Sequence, residues 1–205
     1  MIINSDTIQK IKMKFWFLLN KSRFKSIGKN SFIDSSFKIT PSCISFGESV
    51  RVFKNSRIEG VFLYNNIFFS PNIKFNKNVS VQQNLHLTCA KSITIGENTA
   101  LGPNVTITDI HHNYSNIKIP IEEQDISVNE VKIGKNCKIY SNVVVLPGCS
   151  IGNHVTIGAN SVVAIEVPDY CVVVGAPAKI VKRYNLKSKS WHKTNPDGTF
   201  LKLSK

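Results

Sequence analysis

Six apolar residues recur at a strict interval of six along the later part of the chain: Ile133, Ile139, Val145, Ile151, Ile157 and Val163. Gly134, Gly152 and Gly158 each follow one of them, and small or β-branched residues stand four places on, at Cys137, Val143, Cys149, Val155 and Ser161. A helix repeats at about 3.6 residues and a strand at about 2, so neither produces this period. A hexad marks a parallel β-helix. Three hexads close one triangular coil, and equivalent residues recur a full coil later, as Ile133 does at Ile151.

Upstream the period is less regular. Ile95, Leu101 and Ile107 keep it. Earlier, Ile27, Ile33 and Ile39 slip by one residue to Phe46, Val52 and Ile58, and a second break leads to Ile67, Ile73, Val79 and Leu85. Lys and Asn crowd the intervening positions, as outward and corner sites require, and Asn tolerates left-handed backbone. The all-β solenoid is therefore expected over 27–183. Its one large interruption, residues 111–129, is polar and contains Pro120; insertions leave such a stack as loops, commonly on the binding face.

Two segments fall outside the repeat. Within 1–26, Ile8, Ile11, Phe15, Leu18 and Leu19 share a helical face among Lys10, Lys12, Lys14, Lys21, Arg23 and Lys25. Such a basic amphipathic helix either caps the open end of the solenoid or lies on an anionic membrane surface. Residues 184–205 are polar and basic and read as a partly ordered tail.

Twenty-six Lys and Arg against thirteen Asp and Glu give a net charge of +13. That draws an anionic partner: a nucleotide cofactor, an acidic glycan, a phospholipid surface or nucleic acid. Nucleic acid is the least expected, because the coils carry no reader motif and no basic-aromatic interleaving. The five cysteines form no CxxC, and Cys137 and Cys149 take the small inward place of the repeat, so they read as reduced core residues. The apolar run Phe15–Leu19 is too short to span a bilayer, and no cleavage site follows it. A cytoplasmic protein, or one at the inner face of the cytoplasmic membrane, is expected. Phosphate-loop, dinucleotide and serine-elbow motifs are missing. His86, His111, His112, His154 and His192 do not suggest a three-imidazole zinc site, because the adjacent pair would diverge; no metal is expected.

The hexads, the loop after Leu-Gly-Pro-Asn-Val-Thr-Ile at Leu101–Ile107, and the ending Val-Gly-Ala-Pro-Ala-Lys at Val174–Lys179 together resemble the left-handed β-helix acyltransferases. Within them, the chain is similar to the maltose/galactoside O-acetyltransferase group and the O-acetyltransferases of bacterial O-antigen and capsular glycans. The resemblance covers roughly Ser80–Arg183. It implies a left-handed parallel β-helix, acetyl-coenzyme A as acetyl donor, a carbohydrate hydroxyl as acceptor and a homotrimer.

The resemblance also implies site residues. The family's general base lies five residues beyond the inward position matched by Ile107, which selects His112. The segment Asp109-Ile110-His111-His112-Asn113-Tyr114 resembles the pattern Asp-His-x-His-x-Tyr, with Ile110 in place of its first histidine. An imidazole titrating near neutrality suits removal of a hydroxyl proton. His111 and Asp109 stand in reserve, and Asp109, Glu122 or Glu123 could orient the ring. Asn84 matches an acceptor-binding asparagine. Ser141, Gly158 and Ala159 match the pantetheine groove, and Lys179 and Lys182 match cations against the nucleotide phosphates. Two positions depart from the family: Lys138 replaces a frequent Trp, and Ala164-Ile165 a Thr-Lys pair. Cys89, the nearest thiol, lacks an activating pattern, so direct transfer without an acyl-enzyme is expected. The alternatives are an acetyltransferase of a small acceptor (simple sugar, serine, antibiotic or amino-sugar nucleotide) or a non-catalytic β-helix that binds an anionic partner.

Overall fold

The computed structural model of the chain describes Ile8, Ile11, Phe15, Trp16 and residues 18–34 and 38–201. Short strands stack coil on coil into three parallel faces. The first face runs from Ser26–Ile27 to Ser150–Ile151, the second from Phe32–Ile33 to Cys171–Val174, and the third from Lys38–Ile39 to Val162–Val163. Each strand is bonded along its length to the coils on either side, so the backbone of one coil templates the next.

The register identifies the inward rows. Phe46, Phe75, Ile95, Ile133 and Ile151 stack on the first face. Val52, Val81, Leu101, Ile139 and Ile157 stack on the second, and Ile58, Leu87, Ile107, Val145 and Val163 on the third. The hexad from Ile133 to Val163 is therefore the structural repeat. In the third coil the expected register is corrected by two residues: the rows pass through Phe75, Val81 and Leu87, not Ile73, Val79 and Leu85. The cause is the strand's period of two, which turns both the row residue and the one two places before it inward. Ile73, Val79 and Leu85 are indeed buried, in the place held further on by Val131, Cys137 and Val143. Ile67 is not inward at all; it is exposed on a hairpin that leaves the stack.

Corners are built from two devices. Asn30, Asn55, Asn78, Asn84, Asn98, Asn104, Asn136, Asn142 and Asn160 all adopt left-handed backbone, with φ between 57 and 62°. Their amides bond from coil to coil, Asn84 to Asn104 at 2.8 Å, Asn104 to Asn142 at 2.9 Å and Asn142 to Asn160 at 2.9 Å. At the first-to-second corner the backbones come so close that a side chain cannot fit: a Cβ on Gly96 would overlap the Gly134 carbonyl, and one on Gly134 the Gly152 carbonyl.

Both ends of the stack are covered. The described residues before Lys21 are helical. Trp16 packs on Phe24 and Phe32 at 5.9 and 6.0 Å between ring centres, and Phe24 continues to Phe46 at 5.5 Å. The cap is thus made by Trp16 and Phe24. Ile8, Ile11, Phe15, Leu18 and Leu19 stay 43–64% exposed, and the rest of that helix lies outside the described residues. At the other end the expected tail from residue 184 is corrected to an ordered hairpin. Lys179–Asn185 pairs antiparallel with Cys171–Val174 and with Ser190–Lys193, burying Ala178 and Ile180 over the last coil.

All five cysteines are free and buried, and burial above all pushes every thiol pKa up, that of Cys43 from 9.0 to about 11. Two outcomes are expected. Gly134→Ala should cost about 1–3 kcal/mol through backbone overlap, read as a lower urea midpoint with an unchanged slope. Because the folded thiol pKa values lie above the unfolded ones, their contribution is complete below about pH 9 and is lost as pH rises through the folded values. Urea midpoints should fall across that alkaline range, and substituting the cysteines by Ala or Val should flatten the fall.

Candidate active site

Every large insertion leaves at one corner, where the third face passes to the first. Between Ile58 and Phe75 the chain forms a hairpin, Leu63–Tyr64 paired with Ile67–Phe68, turned by Asn65 and Asn66 at φ 44 and 64°. Two consecutive left-handed residues make the tight turn that suits a two-residue hairpin. Between Ile107 and Ile133 it forms an arm, Ile110–His112 paired antiparallel with Ile126–Val128. The expected loop 111–129 is thus a β-arm whose root begins at Asp109. Gln124 closes its tip, accepting from Asn116 N–H at 3.1 Å and donating to Asn116 C=O at 2.9 Å.

Asp109 anchors the root. It is fully buried, and its carboxylate accepts the N–H groups of Ala90, Lys91 and Ser92, each at 2.8 Å, and the Cys89 thiol at 3.2 Å. These groups line the corner of the coil below, so the side chain locks the arm to the stack. The expectation that Asp109 orients an imidazole is corrected on this ground: its oxygens are held by the backbone. Cys89 is equally unsuited to nucleophilic work, since burial first and the Asp109 charge second push its pKa far up.

Neighbouring residues on a strand point to opposite sides, and the two histidines diverge accordingly. His111 faces Tyr114, at 5.7 Å between ring centres. His112 faces the hairpin: its Nδ1 lies 3.3 Å from the Tyr64 hydroxyl. That hydroxyl is also 3.0 Å from the Glu122 carbonyl and 3.3 Å from Glu122 Oε2. Asn65 donates to the carbonyls of Glu122 at 3.1 Å and Gln124 at 3.0 Å, clamping arm to hairpin. Burial, then the Glu122 charge and hydrogen bond, hold the Tyr64 pKa above its usual 10. The phenol therefore keeps its single proton at neutral pH.

Given to Glu122, that proton leaves the phenol oxygen to accept from Nδ1–H, so Nε2 carries the lone pair. Among the described residues no side chain or backbone group bonds Nε2, and the ring is exposed. An imidazole fixed at one nitrogen and open at the other can take a proton from a bound hydroxyl. Sequence reasoning missed Tyr64, because it read Ile67 as a coil residue. The available signal was Tyr64-Asn65-Asn66-Ile67, an Asn-Asn turn between apolar pairs.

The other expected residues lie elsewhere. Asn84 stands on the second-to-third corner in the asparagine ladder, away from His112. Ser141 and Ala159 stack on that same corner, where Asn160 N–H donates to Ser141 C=O at 3.0 Å, and Gly158 precedes it with Val174 close against its Cα. Lys179 and Lys182 are exposed on the strand covering the last coil, opposite Val174 and Val172. Small residues on an open corner, with cations at its end, fit a pantetheine arm and a nucleotide. One whole face separates this corner from His112 within one chain. Neither the hollow of about 460 Å³ at the N-terminal end nor that of about 270 Å³ on the arm includes His112.

Comparison with known proteins agrees with this architecture. Residues 130–164 match the bacterial transferase hexapeptide (six repeats) family. The fold of the chain is a left-handed parallel β-helix. Its fold is shared with the N-acyltransferase AntD from Bacillus cereus, at 21% identity and a TM-score of 0.67 over 83% of this chain and 89% of that one. It is shared too with the hexapeptide-repeat acetyltransferase VCA0836 from Vibrio cholerae, at 21% identity and 0.60 over 86% and 84%. In sequence the chain is 42% identical over 98 residues to the Escherichia coli protein named for lipopolysaccharide biosynthesis O-acetyl transfer, WbbJ, covering 43% of this chain and 49% of that one. It is 30% identical over 94 residues to E. coli galactoside O-acetyltransferase, covering 44% and 43%. The chain thus spans about half the length of the curated relatives it matches.

Asp109→Ala should leave buried N–H groups without an acceptor. At about 1–3 kcal/mol for each such group, a loss of more than about 2 kcal/mol is expected in denaturant unfolding. Faster amide exchange at Ala90–Ser92 should accompany it.

Proposed function

We propose that the chain is an acetyl-coenzyme A-dependent O-acetyltransferase acting on a hydroxyl of a bacterial surface carbohydrate. The observation that carries this reading is His112, held through Nδ1 by Tyr64 and open at Nε2 on an arm that leaves the coils. The sequence likeness to WbbJ, named for lipopolysaccharide O-acetyl transfer, and to galactoside O-acetyltransferase supports a sugar hydroxyl as acceptor. The net charge of +13 favours an acidic or lipid-linked glycan.

In this reading Ser141, Gly158 and Ala159 receive the pantetheine arm, and Lys179 and Lys182 meet the nucleotide phosphates. His112 Nε2 takes the acceptor's proton as its oxygen attacks the thioester carbonyl, and the imidazolium returns a proton to the departing sulfur. Tyr64 and Glu122 hold the ring while it carries charge. No thiol of the chain is needed, in keeping with five buried, poorly ionised cysteines. Because cofactor corner and histidine arm lie a face apart, the arm of one copy meets the corner of another; a homotrimer of the family's kind closes three such sites. Asn84, two coils before Ser141 on the same corner, would then contact the acceptor held by the neighbouring arm.

The test measures free coenzyme A release against bacterial glycans, with an amino-sugar nucleotide as the small-acceptor alternative. His112→Ala should lower turnover by about 100-fold or more with its melting temperature nearly unchanged. Tyr64→Phe, which loses the hydroxyl that fixes the tautomer, should lower kcat by about tenfold while leaving KM for acetyl-coenzyme A in place. Undiminished turnover in His112→Ala sinks the assignment. Stable acetyl labelling of the protein without acceptor sinks direct transfer.

A further inference from the structure

We propose that the N-terminal helix docks the protein on an anionic lipid bilayer, with Ile8, Ile11, Phe15, Leu18 and Leu19 entering the headgroup boundary. This surface is independent of the acetyl-transfer reading. The helix has already met its obligation to the fold through Trp16, whose ring lies against Phe24 and Phe32. What remains is an apolar face of five large side chains, each between 43 and 64% exposed, of which Phe15 and Leu19 also border the hollow beside Trp16, while Ile8, Ile11 and Leu18 do not. Scattered exposed aliphatics are ordinary, but five on one helical face mark an interaction surface.

Charge selects the occupant. Residues 1–33 hold seven Lys or Arg and one acid, Asp6, a net of +6 of the chain's +13. Lys21, Arg23, Lys25 and Lys29 are exposed at this end, and none forms an ion pair among the described residues. A second copy packed end to end would set +6 against +6. An anionic leaflet instead neutralises these cations while the apolar face leaves water, the arrangement of interfacial helices. No described helix is long and apolar enough to cross a membrane, so the helix lies along the surface.

The experiment is co-sedimentation of the full chain with vesicles of phosphatidylcholine containing phosphatidylglycerol, and with phosphatidylcholine alone. Pelleting is expected with the anionic vesicles. It should weaken by about tenfold or more on replacing Ile11→Ser and Leu18→Ser together. It should weaken similarly between about 0.1 M and about 1 M salt, as the Debye length contracts. Both substituted side chains are exposed, so thermal unfolding should not move. Wild-type protein that stays in the supernatant, or equal pelleting of the double variant, overturns the proposal. So does a fall in oligomeric mass of the double variant without vesicle binding by either protein, which would assign the face to a second copy.

Discussion

Backbone pairing between successive coils is the constraint from which the rest follows. Each strand is only two to four residues long on the three faces and gains stability only by bonding to the coils above and below. Inward side chains, stacked in rows such as Phe46, Phe75, Ile95, Ile133 and Ile151, fill the narrow triangular interior. Burying each such residue contributes on the order of 1.5–3 kcal/mol. The period of six is the imprint of that geometry. Anything that does not fit the period must leave at a corner, and it must do so without breaking the pairing on either side.

The candidate site exploits this rule. The hairpin and the arm leave from the same corner, with a single coil between them. That spacing brings Tyr64 to His112 and Asn65 to the arm's tip. The buried Asp109 fastens the arm to the intervening coil, so a rigid stack positions a side chain that itself stands free of it. Rigidity comes from the coils and chemistry from the insertions.

Some of this was legible in the residues and some was not, for identifiable reasons. The clean hexads from Ile133 to Val163 state their register outright, because glycine follows the row residues Ile133, Ile151 and Ile157. In the third coil no glycine does so, Asn76 taking that place, and Ile73 and Phe75 compete for the row; a period of two leaves the choice open. Ile67 misled because an apolar pair on an exposed hairpin looks like a coil strand. Asp109 was taken for a catalytic neighbour because it is close to His112 in sequence. In the cap, the residue that turns toward Phe24 is Trp16, which stands outside the periodic apolar face.

What the sequence alone determined was the coil: its period, its asparagine corners, its small inward cysteines and the place where a long insertion leaves. These are local, repeating demands that each hexad states anew. What only the tertiary structure decided was which groups meet across coils. The meeting of Tyr64 with His112, and the commitment of Asp109 to three backbone amides of another coil, depend on how many residues each corner absorbs. That quantity is summed through the stack and is not written at any one position.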